Sequence, residues 1–436
     1  MAVIGIRKET KDKTERRAPL TPRQVQTLIK EHNIEVMVEP SETRYFNDSE
    51  YQAVGAKITA DLSSANIIFG VKEVPIPDLI GGKAFCFFSH TIKGQDYNMP
   101  MLKQILDLRI SLLDYEKVTD AKGRRLIFFG RYAGYAGMID TLWALGRRLA
   151  TEGLITPFSE IKQALNYESL KEAKEAIAEV GKKIIKDGLA SELQPFVCGF
   201  TGYGQVSQGA QEVLDMLPVE EISPLELFDP KRQYSAHKVY KVVFKEEHLV
   251  RRTDSSKPFD LQEYYHNPEK YQSDFEKYLP HLSVLVNGIY WEPRYPRLVT
   301  KAWLKDAYGE KEVQRLKVIG DITCDLEGSI ECNVQTTKSD NPVYVYNPLT
   351  EKIQYGVEGN GPVVLAVDKL PTELPREASE TFGNSLLPFV PALAAADYQA
   401  PFEQLQIPEE FKRALIAHRG KLTPSYKYLQ KYLHNK

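Results

Sequence analysis

Residues 197–214 read VCGFTGYGQVSQGAQEVL. The apolar run Pro195–Phe200 is strand-like and enters a turn rich in glycine, with Gly199, Gly202, Gly204 and Gly209. Gly202 and Gly204 form a G-x-G pair: one permits the tight turn, the other lets a pyrophosphate approach the backbone. Ser207 stands at the third glycine position. The apolar spacing beyond the turn predicts a helix from about Gln205, whose first amides would face a phosphate. Strand, glycine turn and helix in that order predict a dinucleotide-binding α/β unit.

Outward from this turn the same alternation continues. A strand is expected near Val219–Ile222, and Glu226 follows it. That is close to the ~20-residue offset at which an acid meets the adenosine ribose 2′-hydroxyl; an exposed surface glutamate is the plain alternative. Lys231 and Arg232 lie just beyond and suit a 2′-phosphate, so NAD(H) and NADP(H) both stay open. Residues 228–280 are polar with weak periodicity, and read as an insertion or lid. Strand-like runs return at Leu282–Tyr290, Lys317–Ile322, Pro342–Tyr346 and Val363–Val367, and the chain from Glu377 reads as helical. On the other side of the turn, Gly134 to about Gly188 is helical, with apolar residues at helical spacing over Glu168–Ile185 and Gly188 as a C-cap.

The first ~130 residues alternate as well. Strands are expected at Ala2–Ile6, Ile34–Val38, Asn66–Val71, Ala84–Phe88 and Ile110–Leu113. The continuous apolar run NIIFGV (66–71) suits a parallel strand buried on both faces. Thr21 and Pro22 open a helix as N-cap and first residue. The expected architecture is α/β: a doubly wound sheet in the first half, and a second α/β domain beginning near Pro195.

With 436 residues, 42% hydrophobic and 26% charged, the chain is globular and holds more than one domain. A net charge of −3 and a pI near 6.3 give no basic field to recommend nucleic acid as partner. No apolar run approaches the ~20 residues of a membrane span. The N-terminal apolar stretch is short and charges follow at once, so a cytoplasmic location is expected. The cysteines (Cys86, Cys198, Cys324 and Cys332) form no C-x-x-C pair, and the histidines form no H-x-x-x-H pair. Reduced thiols and no metal are the expectation.

Polar residues punctuate the strand ends of the N-terminal half. Arg16 and Arg17 follow the first strand. Lys72 follows IIFGV, His90 and Lys93 follow AFCFFS, and Glu116 follows ISLLDY. In an open parallel sheet the loops beyond the carboxyl ends of the strands form the ligand crevice. These residues are therefore candidates to converge. A lysine there has a readily depressed pKa and a histidine titrates near neutrality, which suits proton transfer. Arg124 and Arg125 could clamp carboxylates.

The runs IRKETKDKTERRAPLTP (6–22), GVKE (70–73), FFSHTIKGQ (87–95), LLDYEKV (112–118), GRRLIFFGRYAGYAGM (123–138), FTGYGQVSQGAQ (200–211), VNGIYWE (286–292), PRLVT (296–300) and DKLPTELPREASETFG (368–383) carry a resemblance over essentially the whole chain, down to YKYL (426–429). The sequence resembles lysine–2-oxoglutarate reductase, the saccharopine-forming half of bifunctional aminoadipic semialdehyde synthase. More distantly it resembles fungal lysine-forming saccharopine dehydrogenase, alanine dehydrogenase and the transhydrogenase NAD-binding subunit.

The resemblance implies two Rossmann-like doubly wound domains with the site in the cleft between them: a discontinuous substrate domain, 1–133 plus 380–436, and a dinucleotide domain, 134–379, with the insertion near 228–280. It implies Lys72 and His90 as the acid–base pair. Arg17, Lys93, Gln95, Glu116, Arg125 and Phe129 match substrate positions. Arg124, Gly202, Gly204, Gln205, Glu226, Asn287 and Val367, Asp368, Lys369 and Leu370 match the nucleotide side. The implied reaction condenses L-lysine with 2-oxoglutarate and reduces the imine to saccharopine, in lysine degradation. NADP(H) is implied first and NAD(H) as the alternative, without metal. An alanine dehydrogenase-like deaminase is the enzymatic rival, and a nucleotide-binding regulator the non-enzymatic one. The chain ends where the bifunctional relatives continue into a saccharopine-oxidising half, so a separate enzyme for that step is expected. A homo-oligomer stays open.

Overall fold

The computed structural model describes residues 2–309 and 314–433. The expected domain ends at 1 and 436 lie outside them. The chain separates into two compact units, Met1–Phe129 with Pro375–Lys436, and Gly130–Leu374. Both changeovers fall on the first residue of a helix, Gly130–Thr151 and Pro375–Leu386, a few residues earlier than the sequence suggests.

The first unit is built on β1 (Val3–Ile6), β2 (Glu35–Val38), β3 (Lys57–Ile58), β4 (Ile67–Phe69), β5 (Ala84–Phe87) and β6 (Ser111–Asp114). They run parallel in the order β3-β2-β1-β4-β5-β6, so the order reverses between β1 and β4. The apolar runs of β4 and β5 are continuous because these strands are buried on both faces. Ile67, Phe69, Ala84 and Cys86 join one core, while Ile68, Phe85 and Phe87 join the other. Thr21 caps the helix Pro22–His32, and Gln24 reaches back to the Thr21 amide (2.7 Å).

The second unit carries β7 (Val197–Thr201), β8 (Val219–Glu221), β9 (Val239–Phe244), an antiparallel hairpin of β10 (Val250–Arg252) and β11 (Tyr271–Ser273), then β12 (Val284–Asn287), β13 (Val318–Asp321), β14 (Val343–Asn347), β15 (Lys352–Tyr355) and β16 (Val363–Leu365). The sheet order is β15-β14-β16-β13-β12-β7-β9-β8. Cys198, Phe200, Val284 and Val286 pack on one face, and Leu285, Ile319 and Val364 on the other. The first sheet is extended beyond β6 by antiparallel β17 (Leu415–His418) and β18 (Lys421–Leu422), in a segment the sequence reads as helical throughout.

Two expectations are corrected here. Residues 228–280 are not simply an insertion, because they contain β9, which lies between β7 and β8. Its lysines disguise it: Val239, Tyr240, Val242 and Phe244 are buried, and Lys241 meets Asp215 (2.9 Å) and Glu221 (3.1 Å). The expected neighbour of β7, the strand at Val219–Glu221, is instead at the sheet edge. The helix Gly130–Thr151 crosses Gln205–Leu214 at glycine contacts. A Cβ on Gly134 would collide with the Val206 carbonyl oxygen, and one on Gly209 with that of Arg131. Gly209 thus gives the close packing expected of a third motif glycine, which Ser207 lacks.

Candidate active site

In the first unit the loops after β1, β4, β5 and β6 all leave from the carboxyl edge of the sheet. The loop after β1 carries Glu15 and Arg17. Both are buried, 1% and 4% exposed, and form a bidentate pair: Arg17 Nε donates to Glu15 Oε1 (2.8 Å) and Nη2 to Oε2 (2.6 Å). The Arg17 guanidinium lies over the Phe129 ring at 4.1 Å, and Phe129 stacks on Phe382 at 4.6 Å. Burial raises the Glu15 carboxyl, but the Arg17 charge and hydrogen bonds outweigh it and hold it below its ordinary value.

Lys72 follows β4. Its backbone amide and that of Val71 donate to buried Glu9 (2.9 and 2.7 Å), fixing the turn. Burial pushes the Lys72 ammonium pKa down and the nearby Arg17 charge adds to this, while Glu15 and Glu73 oppose it. His90 follows β5, and its Nδ1 meets Glu73 Oε1 at 2.7 Å. Lys11 Nζ donates to the same oxygen (2.5 Å). His90 has φ +48°, a conformation uncommon outside glycine. Asn98 holds this loop through the Ser89 and His90 carbonyls (3.1 and 3.2 Å).

Burial would raise the Glu73 carboxyl, but the hydrogen bonds from His90 and Lys11 dominate and bring it down to about 2. A carboxyl depressed on folding adds stability that is full above its ordinary value and lost as pH falls through the folded one. The stability difference between wild type and Glu73→Gln, measured by urea unfolding, should therefore be constant above pH 5 and shrink between about pH 4.5 and about 2. A difference independent of pH would contradict this assignment.

The remaining positions are distributed more loosely. Arg125 lies over the Phe88 ring at 5.9 Å, and Phe88 stacks on His90, which ties Arg125 to the same group. Glu116 follows β6, its amide held by Asp114 (2.8 Å). Lys93 and Gln95 occupy the loop after His90 and bond to each other, the Lys93 amide donating to Gln95 Oε1 (3.2 Å). Arg124 is exposed and paired with Asp120 (2.7 Å). The structure thus gathers Arg17, Lys72, His90, Arg125 and Phe129, with Glu15 and Glu73 as partners that the sequence reading passed over. A carboxylate two residues from Arg17 or next to Lys72 looks like ordinary surface charge. The visible signal is that GVKE places both charges directly after a strand buried on both faces.

The second unit holds the glycine turn. Gly202 has φ +80°, and Gly204 caps the helix Gln205–Leu214 with open space around its α-carbon. This is the cradle a pyrophosphate needs. Gln205 is exposed on the first turn. Asn287 is fully buried at the end of β12. It accepts from Thr201 (2.7 Å) and donates to Asp321 (2.8 Å) and Ser329 (2.9 Å), so its amide locks three strand ends together. Burial outweighs these bonds and raises the Asp321 carboxyl to about 6. Val367 and Leu370 are buried and Asp368 exposed at the end of β16, with Lys369 between them. Glu226 follows the edge strand β8 and pairs with Arg232, with β9 interposed between that strand and β7.

Residues 5–136 match the alanine dehydrogenase/PNT N-terminal domain, and 263–425 match the C-terminal domain of the same family. The chain belongs to the alanine dehydrogenase/PNT family. Within that family it is 40% identical over 98% of its length to alpha-aminoadipic semialdehyde synthase of Arabidopsis thaliana, covering 41% of that protein. It is 37% identical over 98% of its length to the mitochondrial enzyme of that name from Mus musculus, covering 48%. The chain thus spans less than half the length of these relatives. It is also 28% identical to the NAD(+), L-lysine-forming saccharopine dehydrogenase of Emericella nidulans, covering 88% of this chain and 90% of that one. A solved L-alanine dehydrogenase superposes with TM-score 0.64 at 18% identity over 99% of both chains, which shows the alanine dehydrogenase-like fold. Among the described residues no cluster of His, Cys, Asp and Glu could hold a metal, and no helix is long and apolar enough to cross a membrane.

Proposed function

We propose that the chain condenses L-lysine with 2-oxoglutarate and reduces the resulting imine to saccharopine. The observation that carries this is the lysine–histidine pair, each held by its own buried carboxylate network, beside the Arg17 clamp. The relatives' names give the substrate class. Both substrates bring carboxylates, and Arg17 and Arg125 offer guanidinium groups that bind them in two-point fashion. Lys93, Gln95 and Glu116 line the approach on neighbouring loops, and Phe129 sets the plane on which Arg17 lies.

The ε-amine of the substrate lysine must lose a proton before it attacks the keto carbon. Lys72, with its lowered pKa, accepts it. Attack forms the C–N bond and leaves a hydroxyl on the former keto carbon. His90 donates its Nδ1 proton to Glu73, which presents Nε2 to the reaction. When that nitrogen is protonated it delivers the proton that lets the hydroxyl leave as water, giving the imine. A bound nicotinamide supplies the hydride for the final reduction. The Gly202–Gly204 cradle and the amides at Gln205 would hold its pyrophosphate. Arg124 and the Val367–Leu370 turn are the further nucleotide contacts we propose. Asn287 supports that site through the strand ends and does not touch the ligand.

We propose the cytoplasm as the compartment and a homo-oligomer as the assembly to look for. The deciding experiment is nucleotide oxidation followed at 340 nm, omitting lysine or 2-oxoglutarate in turn. Strict dependence on both, with saccharopine identified by mass, is expected. Oxidation with pyruvate and ammonia but not with lysine would replace this reading with a deaminase. NADP(H), implied first by sequence resemblance, and NAD(H) differ only at the ribose 2′ position, so what faces that ribose decides between them.

A further inference from the structure

We propose that a cavity at the amino end of β6 binds a small organic polyanion, with two or more phosphate or carboxylate groups, between Arg109 and Arg419. Lys72 and His90 follow the carboxyl ends of β4 and β5, at the opposite edge of the same sheet. The cavity is therefore a second site, and it does not depend on which reaction the chain performs.

The backbone carries the first part of the argument. The helix Met99–Asp107 ends in a Schellman motif. The Arg109 amide donates to the Leu106 carbonyl (3.0 Å) and the Ile110 amide to that of Ile105 (2.9 Å). The motif puts Arg109 in the left-handed region, at φ +56°. Arg419 and Gly420 join β17 to β18, with His418 opposite Lys421, and their φ values are +51° and +82°. A two-residue hairpin turn of this kind prefers asparagine and glycine. Both motifs thus ask for glycine or asparagine where this chain has arginine, because a Cβ crowds the backbone there. Arg109 and Arg419 are the only arginines with positive φ among the described residues, and both line the same cavity. A strained position held twice by a long cation points to a use for the cation.

The cavity has a volume of about 440 Å³ and lies wholly within the first unit. That volume is within the usual ~300–1,000 Å³ of a small-molecule site. Lys421 and Lys427 add two further cations, and Glu403 is the sole carboxylate that lines it. None of the four cations has an ion-pair partner among the described residues. Arg7, Arg17 and Arg44 of the same unit are each paired. Like charges gathered in a concave wall without acids raise the local potential and concentrate anions. The guanidinium groups offer two-point contacts to phosphate or carboxylate, and the lysines act as point charges.

The frame around these cations is fixed. A Cβ on Gly420 would stand 3.5 Å from Arg109 Cγ, so the Arg109 stem lies against the hairpin turn. His418 is buried, and burial pushes its pKa down. Its Nε2 donates to the Ala400 carbonyl (2.9 Å), which leaves Nδ1 to accept from the Ser111 hydroxyl (2.8 Å). The neutral ring thus ties β17 to β6 and to the loop at Ala400 behind the cavity.

The test is calorimetric titration of the full chain with fructose 1,6-bisphosphate and with citrate, for wild type, Arg109→Asn and Arg419→Asn. Ionic strength is held at about 0.1 M throughout. Asparagine suits a left-handed backbone, so both variants should melt at or above the wild-type temperature. At least one of the two anions should bind wild type with a Kd below ~1 mM, and each variant should weaken it by ~10-fold or more. Tighter binding of the bisphosphate makes the ligand a phosphate ester, tighter binding of citrate a polycarboxylate, and either supports the site. Failure of both anions to bind that tightly overturns the proposal. So does binding that either variant leaves within about threefold of wild type, since the anion is then held elsewhere. A lower melting temperature in either variant also overturns it, because that arginine then serves the fold.

Discussion

Replacing Lys72 with methionine should lower kcat by ~10²–10⁴ while the affinity for nucleotide stays at the wild-type value. The length and apolar stem of the side chain survive, and only the titrating nitrogen is lost. The turn itself is held by main-chain bonds to Glu9, which the substitution leaves in place. The Gly202–Gly204 turn, the proposed nucleotide cradle, belongs to the other unit. Lys72→Arg sharpens the test. Arginine keeps the positive charge but does not give up its proton at working pH. If Lys72 acts as a base, the arginine variant fails as badly as methionine. If its charge merely attracts carboxylates, arginine restores most of the rate. Turnover of Lys72→Met within threefold of wild type would end the acid–base assignment.

The second large effect is on stability. Arg17→Met should destabilise the fold by about 3–5 kcal/mol, because it strands Glu15 as an uncompensated buried charge. Glu15 is 1% exposed, and Arg17 is the main group holding its pKa down, with the Lys72 charge adding to it. Methionine can keep the apolar contact with Phe129, so the loss reports the ion pair. The double variant Glu15→Gln with Arg17→Met should recover a substantial part of the loss, since removing both partners leaves no orphaned charge. Urea unfolding of the two variants checks this. A single variant that loses less than about 1 kcal/mol would mean that water reaches Glu15.

Much of this was legible in the chain itself. Strands buried on both faces announce themselves as unbroken apolar runs, and Lys72 and His90 stand out because each follows such a run. The glycine turn is equally plain. What escaped has a common cause. Glu73 and Glu15 look like surface charge until the strand ends are brought together, since a buried acid is marked only by its partner. β9 is masked by the lysines that flank its apolar residues. The sheet order of β8 and β9 escaped because distance along the chain is local information, whereas the order of strands in a sheet is not. β8 comes before β9 in the chain but outside it in the sheet.

The antiparallel pairing of β6 with β17, Leu113 opposite Leu415, has a consequence for synthesis. The strand that covers β6 leaves the ribosome some 300 residues after it, and at about 5–20 residues per second this takes roughly 15–60 s. Meanwhile the whole of Gly130–Leu374 has emerged and is able to fold as a unit. The first-made half of the molecule is therefore the last to be finished. Until then β6 presents an open apolar edge, the kind of template on which nascent chains associate.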